Sequence, residues 1–280
     1  MIHTNNNILV LLAFLILAPA SSQADDWIKQ GEETLTFGLG AFLPAFNTIL
    51  RVDNQTVGAG DSIDLEDDLG LKEDESVFWV GGTWRFADRH RLGVSYFSFK
   101  RDASATALRD LEIGDEIYPI GAALETEFGL TVAPVFYAYS FIKNERHELA
   151  GSFGFHWFAL DFAVEGDASL NGEDANANAS ASADVPLPLF GLRYDYYINQ
   201  RWTTSVHGEV FALDITDEAF KFSGSLYNIR LSTDYWLTKN FGIGAAISWF
   251  DLDAKIDDSE WKGEIEYRYF GPQIYIQARI

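Results

Sequence analysis

The segment that most constrains this 280-residue chain is its last one, Glu264–Ile280. Ile274, Ile276, Ala278 and Ile280 fall on one face of a strand, and Gln273, Tyr275, Gln277 and Arg279 on the other. A strand that alternates apolar and polar up to its final residue suits a barrel seam with hydrocarbon on one side and an enclosed polar space on the other. Gly271-Pro272 interrupts this segment. The apolar set above it is Ile265, Tyr267 and Tyr269, out of step with Ile274 and Ile276, which predicts a β-bulge at the interruption.

Upstream, further segments read the same way. Ten strands are expected, at 34–50, 75–86, 91–101, 124–141, 147–163, 185–197, 202–214, 221–237, 241–253 and 261–280. Most reach the ~9–11 residues that cross a bilayer as a tilted strand. In the ninth, Phe241, Ile243, Ala245, Ile247 and Trp249 oppose Gly242, Gly244 and Ser248. In the second, Phe78, Val80, Trp84 and Phe86 oppose Gly81, Thr83 and Arg85. The fourth and fifth alternate poorly. Eight strands result if one hairpin is a loop extension, and twelve if the 46–70 region pairs.

The connections alternate in length and charge. Four are short (87–90, 143–146, 199–201 and 238–240), and with Arg91 they carry Arg89, Lys143, Arg146, Arg201 and Lys239 against Asp88 and Glu145. The long ones are acidic. Residues 61–75 hold eight carboxylates and one Lys, and 165–184 hold five with no base. The Ala/Asn/Ser-rich run 174–184 reads as a mobile, low-complexity loop. Aromatic clusters at Trp79, Trp84 and Phe86, at Tyr194, Tyr196, Tyr197 and Trp202, and at Tyr235, Trp236 and Phe241 sit where an interfacial girdle is expected. A soluble β-sandwich would bury one such face, but would not carry charge on the other where a barrel encloses it.

Composition agrees with strands rather than helices as the spanning element. Aromatics make up 15% of residues, yet charged residues make up 22%, and mean hydropathy is −0.05. After residue 24 no apolar run approaches the ~20 residues of a spanning helix. The absence of cysteine excludes disulfides, thiolate metal sites and a Cys nucleophile, and a net charge of −22 excludes nucleic acid as a partner. Residues 1–24 read as a signal peptide, with an apolar core at Ile8–Leu17 and Ser22-Gln23-Ala24 before the cleavage point, although the n-region has no Lys or Arg. The barrel domain is then 25–280.

The signal peptide, the tight turns and the strand ending at Ile280 resemble the small outer-membrane β-barrels of Gram-negative bacteria, of the OmpA-like and OmpW-like kind. The resemblance spans about 25–280 and is one of pattern; such barrels commonly end on Phe or Tyr, where this chain has Ile280. It implies insertion from the periplasm with the help of the barrel-assembly machinery, periplasmic termini, and acidic loops at the cell surface among outer-membrane lipid and lipopolysaccharide.

Two sets of residues are candidates for a site. The inward polar set is expected to be Arg85, Arg193, Asp195, His207, Glu209, Asn228, Arg230, Asp234, Glu264, Glu266, Arg268 and Arg279, pairing as a network that fills the lumen. A plug is favoured over a porin-like pore, with a narrow channel for small solutes as the alternative. The acidic tract Asp64, Glu66, Asp67 and Asp68 offers oxygen ligands for Ca²⁺ or Mg²⁺, without EF-hand spacing, against the simpler reading of a solvated loop. No other cofactor and no catalytic residue is expected. His207 has Ser205 and Glu209 on its own face, but about 7 Å away along the strand, loose for a relay. His156 is the other strand histidine. The strand number is similar to that of omptin-type proteases, but their paired-Asp and Asp–His pattern is not found. A rim hydrolase of lipid or peptide stays as the second alternative to a structural or surface-interaction role.

Overall fold

The computed structural model describes residues 27–53, 60–170, 173–216, 221–257 and 262–280. The expected signal segment lies outside the described residues. The strands are β1 (Leu35–Phe42), β2 (Ala45–Val52), β3 (Ser62–Asp64), β4 (Val77–Ala87), β5 (His90–Thr106), β6 (Leu111–Ile113), β7 (Glu116–Tyr118), β8 (Ala123–Lys143), β9 (His147–Leu170), β10 (Glu173–Asn199), β11 (Trp202–Thr216), β12 (Lys221–Trp236), β13 (Phe241–Asp257) and β14 (Lys262–Arg279).

Ten of them close an antiparallel ring in the order β1-β4-β5-β8-β9-β10-β11-β12-β13-β14. β14 returns to β1 through pairs from Thr36↔Arg279 to Phe42↔Gln273. The first strand breaks at Leu43-Pro44, because Pro44 has no N–H to donate. It resumes as β2, still along β14, from Ala45↔Phe270 to Val52↔Gly263.

The bulge expected at Gly271-Pro272 is absent. β13 and β14 pair without a shift through Ile247↔Pro272 and Ser248↔Gly271. Inward positions run without interruption through Tyr267, Tyr269, Gly271, Gln273, Tyr275, Gln277 and Arg279. What changes at the joint is chemistry, not facing: the inside is apolar on one side of it and polar on the other.

The same inversion recurs around the ring. On β13, Phe241, Ile243, Ala245, Ile247 and Trp249 point out, and then Asp251, Asp253, Lys255 and Asp257 do. Inside, Gly242, Gly244 and Ser248 give way to Phe250, Leu252, Ala254 and Ile256. On β5, Leu92, Val94 and Tyr96 are followed outside by Ser98, Lys100 and Asp102, while Phe97 and Phe99 take over the interior. The half nearest the short turns is therefore a bilayer span, apolar outside and polar inside. The other half is built like a soluble barrel, with an apolar core and a charged exterior.

This extension absorbs most of the acidic segments expected to be loops. β9 and β10 pair out to Leu170↔Glu173, so 165–170 and 173–184 are paired strand rather than a mobile tract, and β13 carries Asp251–Asp257. The acidic 61–75 segment turns inward. Ile63, Leu65, Leu69 and Leu71 are buried in the core, together with Leu111, Ile113 and Tyr118 from the β6–β7 hairpin. Below this core, ring contacts cross the barrel in the order Phe97–Phe42–Tyr269–Phe250–Phe158, with centroids 6.3, 5.1, 4.8 and 5.8 Å apart.

Candidate functional site: a polar lumen

Four carboxylates organise the lumen beneath the aromatic layer. Glu148 is fully buried and accepts both guanidinium nitrogens of Arg85 at 3.0 Å. It also lies 3.2 Å from Arg91, and accepts from Tyr197 Oη at 2.5 Å and from Ser140 Oγ. Asp195 accepts from Arg193 Nε at 2.8 Å and Ser205 Oγ at 2.5 Å, with Arg91 at 3.5 Å. Glu209 accepts from Asn228 at 2.7 Å and has His156 at 3.5 Å and His207 at 3.7 Å. Asp234 accepts from Tyr275 Oη at 2.7 Å and Gln277 at 2.9 Å. Each is multiply partnered, as a buried charge must be.

Strand register sets these side chains in rows. Arg193 of β10 lies opposite His207 of β11, which lies opposite Arg230 of β12. The facing wall is small: Gly38 pairs with Gly81, and Gly81 with Ser95. The indole of Trp79 lies over those glycines, and a Cβ on Gly81 would come within 2.7 Å of it. A cavity of about 260 Å³ remains between the walls.

The segment that precedes β1 lies across the turn end. Gln30 donates to Gln200 O at 3.1 Å and accepts from Arg279 at 3.1 Å, while Arg201 stacks on Trp27 at 4.4 Å. Gly31 has φ +78°, and a Cβ there would meet Tyr197 Oη at 2.7 Å, so only glycine fits.

Of the expected lumen residues, Arg85, Arg193, Asp195, His207, Glu209, Asn228, Arg230, Asp234 and Arg279 are inside. Glu264, Glu266 and Arg268 are not. They alternate with buried Ile265 and Tyr267 and face outward in the extension, where Arg268 bridges Asp251 at 3.0 Å and Glu266 at 2.9 Å. Their facing followed from expecting polar groups inside at every level. Trp79, Tyr197 and Trp236, expected in the girdle, also turn inward; Trp236 lies 3.9 Å beneath the Arg279 guanidinium. Trp84, Phe86, Tyr194, Trp202, Tyr235 and Phe241 do face outward. Glu148, Arg91, His156 and Tyr197 were not expected in the lumen, whereas Gln273 and Gln277 lie on the polar face expected of the last strand. For Glu148 and His156 the one signal was the reversal of apolar and polar positions partway along 147–163.

The acidic tract does not converge on a point. Asp64 Oδ1 accepts the backbone N–H groups of Glu66 and Asp67, both at 3.0 Å, and so shapes a turn. Glu66 points into the core and pairs with buried Arg101. Asp68 bridges Arg109 at 3.2 Å. Among the described residues, the carboxylates whose oxygens lie within 4.8 Å of one another are Asp253, Glu264 and Glu266, on the outer face of the extension. Arg51 and Lys255 both bridge Glu264 at 2.8 Å there.

Outside the span, local charge and burial shift several groups. In the β4–β5 turn, the hydrogen bond and charge of Lys143 hold the Asp88 carboxyl below its usual range. In the extension, burial, with Glu116 nearby, pushes the Tyr118 phenol up to about 12.

No protein-family model matches the sequence, and no curated protein matches it. Among solved structures, the outer-membrane protease OmpT from Escherichia coli aligns over 93% of this chain and 100% of its own, with a TM-score of 0.60 at 10% identity. The chain is a transmembrane β-barrel. The translocator domain of the autotransporter NalP from Neisseria meningitidis (TM-score 0.46, 13% identity, 87% and 89% covered) and a Pseudomonas aeruginosa FadL homologue (0.37, 11%, 88% and 90%) are more distant. At these identities the likeness to OmpT speaks for the fold alone. It supports the outer-membrane barrel class without singling out OmpA-like or OmpW-like proteins.

Proposed function

We propose that this chain is a non-conducting barrel of the bacterial outer membrane that raises a rigid acidic extension above the bilayer, in a structural or surface-interaction role. The carrying observation is the unbroken run of ring contacts from Phe97 to Phe158, roofed by an apolar core. A hydrated path needs polar walls along its length, and above that layer the interior is mainly apolar, its buried Arg101 taken up by Glu66 and Thr48. In this reading residues 1–24 direct export, the barrel-assembly machinery inserts the chain, the basic short turns face the periplasm and the extension stands outside the cell. Its carboxylates would meet lipopolysaccharide through shared Ca²⁺ or Mg²⁺. A rim hydrolase has less support. His156 and His207 are enclosed in the lumen, and His90 and His147 stand at the turn end, bonded to Tyr137 at 2.7 Å and Tyr194 at 2.6 Å.

The test is conductance. Purified protein in planar bilayers is expected to give no steady current. Discrete, reproducible steps would overturn the closed reading in favour of the narrow channel for small solutes.

A further inference from the structure

We infer that the lumen cavity is a binding pocket for a small monocarboxylate with a short apolar tail, held head-down against the Arg193–His207–Arg230 row. The argument starts from which hydrogen-bonding capacity is already used. Glu148, Asp195, Glu209 and Asp234 each have two or more partners, so the acceptors of the lumen are largely satisfied. The donors are not. Arg193 uses only Nε, on Asp195, and its two Nη groups have no partner among the described residues. Arg230 bonds Gln273 Oε1 through Nη1 and lies over the Trp79 and Tyr275 rings at 5.7 and 5.5 Å, while Gln273 Nε2, nine-tenths or more buried, is left unpartnered. Thr203 Oγ1 and His156 Nδ1, on the same cavity, are unpartnered too. The exception on the acceptor side is Glu33 Oε2, at the turn end in the field of Arg85, Arg91 and Arg279.

The shape of the pocket gives the ligand class. Unused guanidinium forks recognise planar oxyanions. Five arginines (85, 91, 193, 230 and 279) match five carboxylates (33, 148, 195, 209 and 234) in the lumen, so no excess of negative charge there opposes a single added anion, whereas a dianion would leave a larger imbalance. The ceiling of the same cavity is Phe97, Phe158, Phe250 and Tyr269, a surface for hydrocarbon. A cavity of about 260 Å³ exceeds the share of one water by nearly tenfold, enough for a short-chain acid anion. This inference goes beyond the closed-barrel reading and needs only the pocket, so conductance results do not decide it.

The probe is butyrate, titrated calorimetrically into the folded barrel in a non-ionic detergent at low ionic strength, with n-butylammonium as the opposite-charge control. Saturable binding of about one butyrate per barrel is expected, with none of the ammonium. Arg193→Gln and Arg230→Gln should each weaken it about tenfold or more. Ser95→Phe, on the facing wall, should abolish it by filling the cavity without touching the row. Heat-modifiable gel migration confirms that each variant is folded. The inference is overturned if the unmodified barrel does not bind butyrate, binds the ammonium equally, or binds butyrate unchanged in folded Arg193→Gln or Ser95→Phe.

Discussion

Glu148 shows how much one side chain can hold in this lumen. Arg85, Arg91, Ser140 and Tyr197 all converge on it from other strands, and it is fully buried. Glu148→Gln leaves two arginines without their shared counter-charge. It should cost about 3 kcal/mol, read as a lower unfolding midpoint in urea after refolding into vesicles. An unchanged midpoint would mean that water, not Glu148, balances those guanidinium groups. Most of this residue-level picture was legible: the alternation of β10, β11 and β12 placed Arg193, Asp195, His207, Glu209, Arg230 and Asp234 inside. Glu148 was not, because β9 carries polar groups inside at one end and apolar groups inside at the other, and a single facing rule fails on such a strand.

At the scale of an element, the level where outside and inside exchange character is the fold's central feature. On β5 it falls between Tyr96 and Ser98. Val94→Arg puts a charge into hydrocarbon and should cost about 2–4 kcal/mol, while Ser98→Arg, four residues further on the same face, should be nearly neutral. Equal costs at the two positions would place the bilayer boundary elsewhere. The β6–β7 hairpin in the extension carries its own pH signature. Tyr118 titrates near 10 when unfolded, and its folded value is raised to about 12. The folded state thus favours the neutral phenol: the contribution is present below about pH 10 and lost as pH rises from about 10 to about 12. Near-ultraviolet circular dichroism through that window should show the extension loosening, and Tyr118→Phe should flatten the change. The sequence hid this element because residues 107–122 are short, mixed in character and follow neither the spanning pattern nor the acidic one.

The whole molecule is one ring serving two solvents. Ten strands, their antiparallel order and the short basic turns were all readable, since each follows from period-two alternation and turn chemistry that hold within the span. The height of the barrel was not. Above the bilayer the alternation persists with its meaning reversed, so the acidic strand ends of β9, β10 and β13 looked like loops, and the acidic end of β14, though expected as strand, was given the wrong facing. That reversal can be measured directly, and the absence of native cysteine makes single-site labelling clean. Spin labels at Ile243, Ile247, Asp251, Asp253 and Lys255 of β13, in a lipid bilayer, report contact with dissolved oxygen or with a water-soluble nickel chelate. The account predicts oxygen access at Ile243 and Ile247, chelate access from Asp251 to Lys255, and a crossover beside Trp249. Oxygen access continuing to Lys255, or chelate access at Ile243, would contradict it.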